Sequence, residues 1–339
     1  MIAGHGDDYQ GELVANFSSN VWYGADNRAL YQHLQQVLPQ TVRYPEADAQ
    51  SLREALATMH CTNASHIGVY NGSAEAVYRI AQSYAGSRSL VVGPTFAEYE
   101  SGCRLFGHEM TTSSRLLLAD KIAHEKPQLV WLCNPNNPDG YTFPKEILLQ
   151  MAASFPDTHF VIDQAYAHFS VKEPISATEA VAAGNITLIQ SLTKRYAIPG
   201  LRLGYLVSGA AQVSRYERFR IPWSINTLAI EAGCFILNNR QNDFPLREWL
   251  NEARRLQREI GQIGPFEPLP SETPFFLVKL SVGTAAGLKA FLLNKRILIR
   301  DANNFAGLSG ETIRLNTLSL EQNNLLIENL KEWNQFITR

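Results

Sequence analysis

Cysteine is scarce in this sequence, and it has neither a strong excess of charge nor a long apolar run. The 339 residues include four scattered cysteines, which gives no close pair of the kind used in zinc knuckles or redox dithiols. The formal net charge of −2 gives no reason to expect nucleic-acid binding. No segment has the apolar length of a membrane span, and the start, MIAGHGDDYQ, lacks the regions of a signal peptide. We therefore expect a cytoplasmic protein without metal, nucleic-acid or membrane partners.

What the sequence does contain is a regular alternation from about residue 64 onward. Short β-rich runs alternate with amphipathic stretches, which is typical of βα units and of a mostly parallel sheet. Most of the runs are apolar throughout, as in strands that helices cover on both faces. We predict helices at 74–85 and 145–153. The predicted strands of this large unit are 66–70, 89–93, 128–133, 158–163, 186–190 and 203–207.

The pattern changes near residue 225 and predicts a second, smaller α/β unit. A long helical stretch with a break near 242–244 is followed by strands at FFLVKL, ILIR and TIRLNT and by a final helix from residue 320. The first forty or so residues match neither unit. We therefore predict three parts: an N-terminal arm at 1–43 that packs with the small domain and the cleft, a large domain at 44–225 and a small domain at 226–339.

The segment SLTKRYAIPGLRLGY contains the first candidate for chemistry. Lys194 follows a predicted strand and so lies at the carboxyl edge of the sheet, where open α/β sheets bind ligands. A lysine amine becomes a reagent when it forms a Schiff base with a carbonyl, most commonly that of pyridoxal phosphate. Ser191 and Arg202 are then placed to hold a phosphate. Taken alone, such a lysine is more often a solvated surface charge, and such an arginine belongs to a surface ion pair.

Asp163 and Tyr166 form a second candidate pair, in VIDQAY after another predicted strand. A pyridinium ring withdraws electrons only while its nitrogen stays protonated, and a buried carboxylate beside that nitrogen raises its pKa. Asp163 suits this role, with Tyr166 near the phenolic oxygen of the ring. A helix cap is the alternative explanation for Asp163.

Two loops and one aromatic residue complete the candidates for the cofactor. In CNPNNPDG we take Asn137 as a donor to the ring oxygen and predict that one Asn-Pro bond is cis, with an ordinary turn as the alternative. The loop NGSAEA opens a helix, so the backbone N–H groups of Gly72, Ser73 and Ala74 can hold a phosphate. Tyr99 can stack on a flat ring, although simple packing is the commoner role of a tyrosine.

The order of these pieces, a phosphate loop, an aromatic residue, NPNNP, DQAY and SLTKxxxxPGLRLG, resembles the fold-type I aminotransferases, which are pyridoxal-phosphate enzymes of class I/II. The resemblance extends over essentially the whole chain. It implies an α/β fold of type I, with a mostly parallel seven-stranded sheet in the large domain and a small α/β C-terminal domain. It also implies pyridoxal 5'-phosphate as the cofactor, bonded to Lys194.

Four stretches resemble the threonine-phosphate decarboxylases of cobalamin biosynthesis within that family: HG at 5–6, FSSN at 17–20, RIPWSIN at 220–226 and ILIRDANNFAGL at 297–308. This resemblance implies decarboxylation of O-phosphothreonine and a homodimer in which Tyr44 serves the neighbouring site. The substrate-binding positions that it implies are His5, Gly6, Asn20, Asn137, Arg300 and Arg314.

Histidinol-phosphate aminotransferase is the alternative, since a transaminase differs only in which bond of the substrate it breaks. A non-catalytic binding protein of the same fold is a third hypothesis. The two arginines of the small domain, Arg300 and Arg314, lie in otherwise apolar strands and can hold two anionic groups at the cleft.

Two departures from the decarboxylase pattern concern the substrate more than the cofactor. The segment NVWYGAD follows FSSN where a Pro-Leu-Gly-like stretch is expected, and Gln164 occupies a position that is usually acidic. The first departure indicates a differently shaped loop on the substrate side.

Overall fold

The computed structural model describes residues 9–239 and 244–337, which contain three β-sheets of seven, four and two strands. The predicted substrate residues His5 and Gly6 lie outside the described residues. The strands are β1 Ala15–Asn16, β2 Ile67–Asn71, β3 Arg88–Val92, β4 Glu109–Ser113, β5 Leu129–Cys133, β6 His159–Asp163, β7 Ile186–Ser191, β8 Leu203–Val207, β9 Phe266–Pro268, β10 Phe275–Leu280, β11 Ile297–Leu298, β12 Arg300–Asp301 and β13 Thr312–Asn316. The helices are α1 Arg28–Val37, α2 Gln50–Met59, α3 Ser73–Ser83, α4 Glu98–Leu105, α5 Leu118–Glu125, α6 Lys145–Ser154, α7 Ala177–Ala183, α8 Ala210–Glu217, α9 Thr227–Asn238, α10 Leu246–Ile260, α11 Ala285–Leu293 and α12 Leu320–Ile337.

The large sheet has seven strands in the order β2-β8-β7-β6-β5-β3-β4. Strand β8 runs antiparallel to both of its neighbours, and the other neighbouring pairs are parallel. Alternate residues of β5 enter different cores: Val130 and Leu132 pack on one face, Leu129 and Trp131 on the other. Because both faces are buried, the central strands are mostly apolar. The predicted fold class, an α/β fold with a mostly parallel seven-stranded sheet, is confirmed.

One strand of the large sheet was absent from the sequence prediction. Strand β4 has the sequence EMTTS and lies at the edge of the sheet, where it pairs with β3. Its side chains are mostly exposed or half-buried, so it lacks the apolar run by which the other strands were identified. The predicted strand ILIR is in fact two short strands, since β11 pairs with β1 and β12 pairs with β13.

The small sheet is antiparallel, in the order β12-β13-β10-β9. One of its faces, with Phe276, Val278 and Leu315, packs in a core with α10, α11 and α12. The other face carries Arg314, which pairs in register with Arg300 of β12. The alternation of side chains along a strand therefore separates the core of the small domain from a charged surface that meets the large domain.

The N-terminal segment is tied to the small domain, because β1 pairs in parallel with β11. Helix α9, which was predicted as part of the small domain, packs against the large domain instead. Its Ala229 and Ile230 belong to the core of the large sheet, and Ala232 packs with Leu30 of α1. The boundaries at 43/44 and 225/226 stay a prediction. Within the described ranges, every helix is too short or too polar to cross a membrane.

Candidate active site

Most of the residues predicted to hold a cofactor line one cavity at the carboxyl edge of the large sheet. The parallel strands β5 and β6 end there, and the loops that follow them supply the lining. The predicted residues in the cavity wall are Gly72, Ser73, Ala74, Tyr99, Asn137, Asp163, Tyr166, Lys194 and Arg202. The fold thus brings together residues that are up to 130 positions apart in the sequence.

One end of the cavity has the geometry of an anion cradle. Gly72 has φ +83° at the start of the eleven-residue helix α3, and a Cβ added there would lie 2.5 Å from the guanidinium of Arg202. A Cβ on Gly204 of β8 would lie 2.3 Å from the backbone nitrogen of Ser73. Glycine at 204 lets β8 pack against the N-terminus of α3, and glycine at 72 leaves room beside the Arg202 guanidinium at that N-terminus. An arginine next to a helix N-terminus suits a phosphate.

Ser191 lies buried next to this cradle, outside the cavity lining. Its Oγ is 2.7 Å from Oγ1 of Thr193, and the backbone N–H of Thr193 donates to Ser191 Oγ. Thr193 itself lines the cavity. The predicted phosphate role of Ser191 stays a prediction.

Asp163 is a buried carboxyl group at the end of β6. The phenol of Tyr99 donates a hydrogen bond of 2.7 Å to its Oδ2, and the backbone N–H of Ala165 donates one of 2.9 Å to Oδ1. Burial raises the pKa of Asp163, while the two hydrogen bonds and the positive charge of Lys194 act against this rise. A protonated ring nitrogen at this carboxylate would favour its ionised form further.

Tyr99 lines the cavity but is otherwise enclosed, with 1% of its surface exposed. Its ring lies nearly parallel to that of Trp131, with the centroids 5.9 Å apart, and its hydroxyl donates a hydrogen bond to Asp163. Tyr99 therefore contributes to the cavity wall and also holds Asp163 by a hydrogen bond, and its predicted stacking on a cofactor ring stays a prediction.

Lys194 and Tyr166 face each other across the cavity. The Lys194 amine lies 5.9 Å from the centre of the Tyr166 ring. Burial raises the pKa of the Tyr166 phenol, and the nearby charge of Arg314 opposes that rise only in part. The phenol is therefore protonated at neutral pH, and its O–H can donate a hydrogen bond to a bound group.

Arg314 is a buried cation whose hydrogen bonds go to neutral oxygens. It donates to Asn137 Oδ1 at 2.5 Å and to the carbonyl of Ser18 at 2.6 Å, and its Nε has no partner in the part of the chain that the structure describes. Burial, and then the charge of Arg300, lower the pKa of Arg314 to about 10, so it stays charged at pH 7. A buried positive charge in this situation favours an anionic ligand.

Asn20 supplies a second buried polar group next to Arg314. It approaches the phenol of Tyr166, yet neither its Oδ1 nor its Nδ2 makes a hydrogen bond of good geometry with the described residues. Unsatisfied amides of this kind are rare in protein cores and are common where a ligand is to be held. Arg300 lies opposite Arg314 and donates to Asn304.

Two further predictions have different outcomes in the structure. The predicted cis Asn-Pro bond is confirmed, at Asn134-Pro135. Tyr44 lies outside the cavity: it is 83% exposed and packs against Trp223, at 5.2 Å between ring centres. Its predicted role in a neighbouring subunit's site stays a prediction. Within 9–239 and 244–337 no cluster of His, Cys, Asp and Glu is arranged to hold a metal ion.

Four lining residues were missed by sequence reasoning: Phe96, Cys133, Ala165 and Thr193. Each is within four positions of a predicted residue in the same loop. Their closeness in the sequence to predicted site residues was therefore the one signal that could have identified these four. Their residue types do not distinguish them from residues that only pack in the core.

The profile of the family described as "Aminotransferase class I and II" matches residues 13–330. The chain belongs to this family. Its fold is the type I fold of pyridoxal 5'-phosphate enzymes, and pyridoxal 5'-phosphate is the family's cofactor.

Among members of the aminotransferase family, the chain is similar to the threonine-phosphate decarboxylase of Salmonella typhimurium, with 34% identity over 302 residues that cover 85% of this chain and 82% of the relative. It is 28% identical over 299 residues to the histidinol-phosphate aminotransferase of Caldanaerobacter subterraneus subsp. tengcongensis, covering 85% and 84%. The solved L-threonine-O-3-phosphate decarboxylase from Porphyromonas gingivalis superposes with a TM-score of 0.90 at 38% identity, over 95% of this chain and 100% of that one.

The cavity suits this cofactor on its own chemistry. It offers a phosphate cradle, a buried carboxylate, a protonated phenol and a lysine amine, arranged around one space. These are the groups that a phosphorylated pyridine aldehyde requires.

Proposed function

We propose that this chain is an enzyme that decarboxylates L-threonine O-3-phosphate to (R)-1-amino-2-propanol phosphate, a step of cobalamin biosynthesis. The observation that carries the proposal is the similarity to the solved decarboxylase, at 38% identity over 95% of this chain. In one and the same sequence comparison, identity is 34% to the Salmonella typhimurium decarboxylase and 28% to the histidinol-phosphate aminotransferase named above.

The residues of the cavity divide the work of holding pyridoxal 5'-phosphate. Arg202 and the N-terminus of α3 would hold its phosphate, Asp163 its ring nitrogen, and Asn137 with Tyr166 its phenolic oxygen. The Lys194 amine would bond to its aldehyde carbon. When bound, the cofactor supplies an electron sink for the bond that breaks.

The arginine pair supports a substrate with two anionic groups. O-Phosphothreonine carries a carboxylate and a phosphate, whereas histidinol phosphate carries only the phosphate. Arg300 and Arg314 are paired residues on the neighbouring strands β12 and β13. They can therefore bind two anionic groups or a single large anion. Asn20 and the phenol of Tyr166 add donors beside Arg314.

What these contacts decide is the orientation of the substrate. The bond that lies perpendicular to the cofactor ring is the one that breaks, so anchors at the far end of the substrate select decarboxylation over loss of the α-proton. The Lys194 amine, which faces the centre of the cavity, is the group placed to return a proton to the α-carbon.

Histidinol-phosphate aminotransferase remains the second candidate, because the chain is also similar to such enzymes and the same arginines can bind their substrate. The discriminating experiment incubates the holoenzyme with O-phosphothreonine in the absence of any oxo acid. We expect stoichiometric release of carbon dioxide. The opposite result, no carbon dioxide and turnover of histidinol phosphate that depends strictly on 2-oxoglutarate, would establish the aminotransferase.

A separate measurement tests whether the protein is an enzyme of this class at all. The purified protein is expected to show a visible absorbance band that borohydride removes. A protein without the band, unchanged by borohydride, is a binding protein of the same fold.

We also propose that the enzyme is a homodimer. The support is the exposed position of Tyr44, which contributes nothing to the cavity of its own chain. The cytoplasmic location predicted from the sequence stays a prediction.

A further inference from the structure

The segment 17–22, which we name the strap, crosses from the small domain to the backbone of Lys194. On the small-domain side, Phe17 donates its N–H to Leu298 and accepts from the N–H of Asn316. The side-chain amide of Asn316 also donates a hydrogen bond to the carbonyl of Val21 at 3.0 Å. The strap is thus bound along its length to β11 and β13.

On the large-domain side, the strap is held at its last residue. The backbone N–H of Trp22 donates to the carbonyl of Lys194 at 3.0 Å. Between the two ends lie Asn20, with its buried amide beside Tyr166, and Ser18, whose carbonyl accepts from Arg314. The position of Asn20 therefore depends on both ends of the strap being in place.

The Trp22 side chain extends the attachment into an aromatic cluster. Its indole meets the ring of Phe244 edge to face, with the centroids 5.0 Å apart. Phe244 in turn stacks on the buried Phe169, three residues after Tyr166, and contacts Trp249 edge to face. The guanidinium of Arg195, the residue after Lys194, lies 5.1 Å from the same Phe244 ring.

Gly24 shows that the chain is shaped around this indole. A Cβ added at Gly24 would lie 3.1 Å from atoms of the Trp22 ring, closer than ordinary van der Waals contact. The sequence Val-Trp-Tyr-Gly replaces the Pro-Leu-Gly-like stretch expected in the decarboxylases, so the indole is a feature of this chain's own loop.

We propose that Trp22 is a positioning residue, whose indole fixes the strap against the Lys194 loop and so holds Asn20 over the substrate site. An aromatic pair of this geometry stabilises the closed position of the strap relative to an open one. If substrate binds only while the strap is attached, a larger detached fraction weakens the apparent affinity in proportion and leaves the bound enzyme unchanged.

The test compares three variants of the holoenzyme with the wild type. For Trp22→Ala we expect the KM of the phosphorylated substrate to rise roughly tenfold, with kcat within about twofold. Trp22→Phe retains an aromatic edge against Phe244 and is expected to restore most of the affinity. Tyr23→Ala is the matched control, since Tyr23 lies next to the strap, is 47% exposed and reaches Trp249 only at 6.1 Å.

Hydrogen–deuterium exchange of a peptide that covers the strap gives a readout independent of turnover. We expect faster exchange in Trp22→Ala than in the wild type, and near-wild-type exchange in Trp22→Phe and Tyr23→Ala. The inference rests on the proposed function only for the choice of substrate. If histidinol phosphate with 2-oxoglutarate proves to be the substrate, its KM is used instead.

Failure of the inference is distinct from failure of the proposed function. A Trp22→Ala variant with unchanged KM and unchanged strap exchange overturns the role of Trp22, whichever substrate is turned over. An equal loss in Tyr23→Ala, or a loss confined to kcat, overturns it as well. If neither substrate is turned over, the proposed function fails and the exchange result alone decides the inference.

Discussion

At the scale of single residues, Asp163 is a buried carboxyl group that accepts hydrogen bonds, and these hydrogen bonds favour its ionised form. Burial raises its pKa, and the Tyr99 phenol is the strongest of the groups that act against this rise. Ionisation of Asp163 therefore has a cost in the folded protein. A cofactor with a positive ring nitrogen offsets that cost, which links the stability of this carboxylate to cofactor binding.

We expect Asp163→Asn to lower the decarboxylation rate about 100-fold or more, because an amide cannot stabilise the ring nitrogen as a cation. The cofactor-free variant should unfold at the same or a higher temperature than the wild type at pH 7. The sign follows from linkage: a carboxyl whose pKa is raised on folding loses stability as pH rises through that value.

Thermal unfolding of the two cofactor-free proteins at pH 7 and near pH 4 checks this prediction. The advantage of the asparagine variant should shrink at the lower pH, since a raised pKa means that a larger fraction of the wild-type carboxyl is protonated there. A variant that is markedly less stable at pH 7 would contradict this account of Asp163.

At the scale of elements, the phosphate cradle depends on how closely β8 passes the start of α3. The absence of a side chain at Gly204 permits this approach, because the neighbouring atoms are backbone atoms of Gly72 and Ser73 that cannot rotate away. The contact between β8 and α3 therefore depends on one residue of β8, the strand that is antiparallel to both of its neighbours.

Gly204→Ala is expected to displace the N-terminus of α3 and to raise the Kd for pyridoxal 5'-phosphate about tenfold or more, since overpacking of this kind costs about 1–3 kcal/mol. Spectroscopic titration of the cofactor-free protein measures the Kd. Gly209→Ala is the control, because a Cβ at Gly209 meets no atom within 4 Å. Equal affinities in the two variants would show that the close approach is unimportant.

At the scale of the whole molecule, Val42, Tyr44 and Trp223 form an exposed apolar surface. Val42 and Tyr44 are 85% and 83% exposed, and the three residues line one shallow depression. Exposed apolar surface of this kind is typical of a protein interface.

For Val42→Arg we expect a monomer in sedimentation velocity, with specific activity reduced about tenfold or more because Tyr44 no longer reaches a neighbouring site. Leu116→Arg is the control: Leu116 is 89% exposed, lies elsewhere on the surface and should leave the dimer intact. A wild-type monomer with full activity would contradict the proposed homodimer.

The sequence predicted the parts of the molecule in which chemistry or burial restricts the residue types. Apolar strands covered on both faces and loops with Lys194, Asp163 and Asn137 are of this kind. Strand β4 was missed because an edge strand needs few apolar residues, and the split of ILIR was missed because pairing partners lie far away in the sequence. The Trp22 cluster depends on residues from three separate segments, which no local pattern reveals.

The strap is translated long before its binding partners in the small domain. Ser18 and Arg314 are separated by 296 residues, so at roughly 5–20 residues per second the ribosome needs on the order of 15–60 s between them. Every residue of the phosphate cradle, together with Lys194, is translated before either arginine of the small domain. The nascent chain therefore contains Lys194 and the phosphate cradle well before the strap can bind its partners in the small domain, Leu298, Arg314 and Asn316.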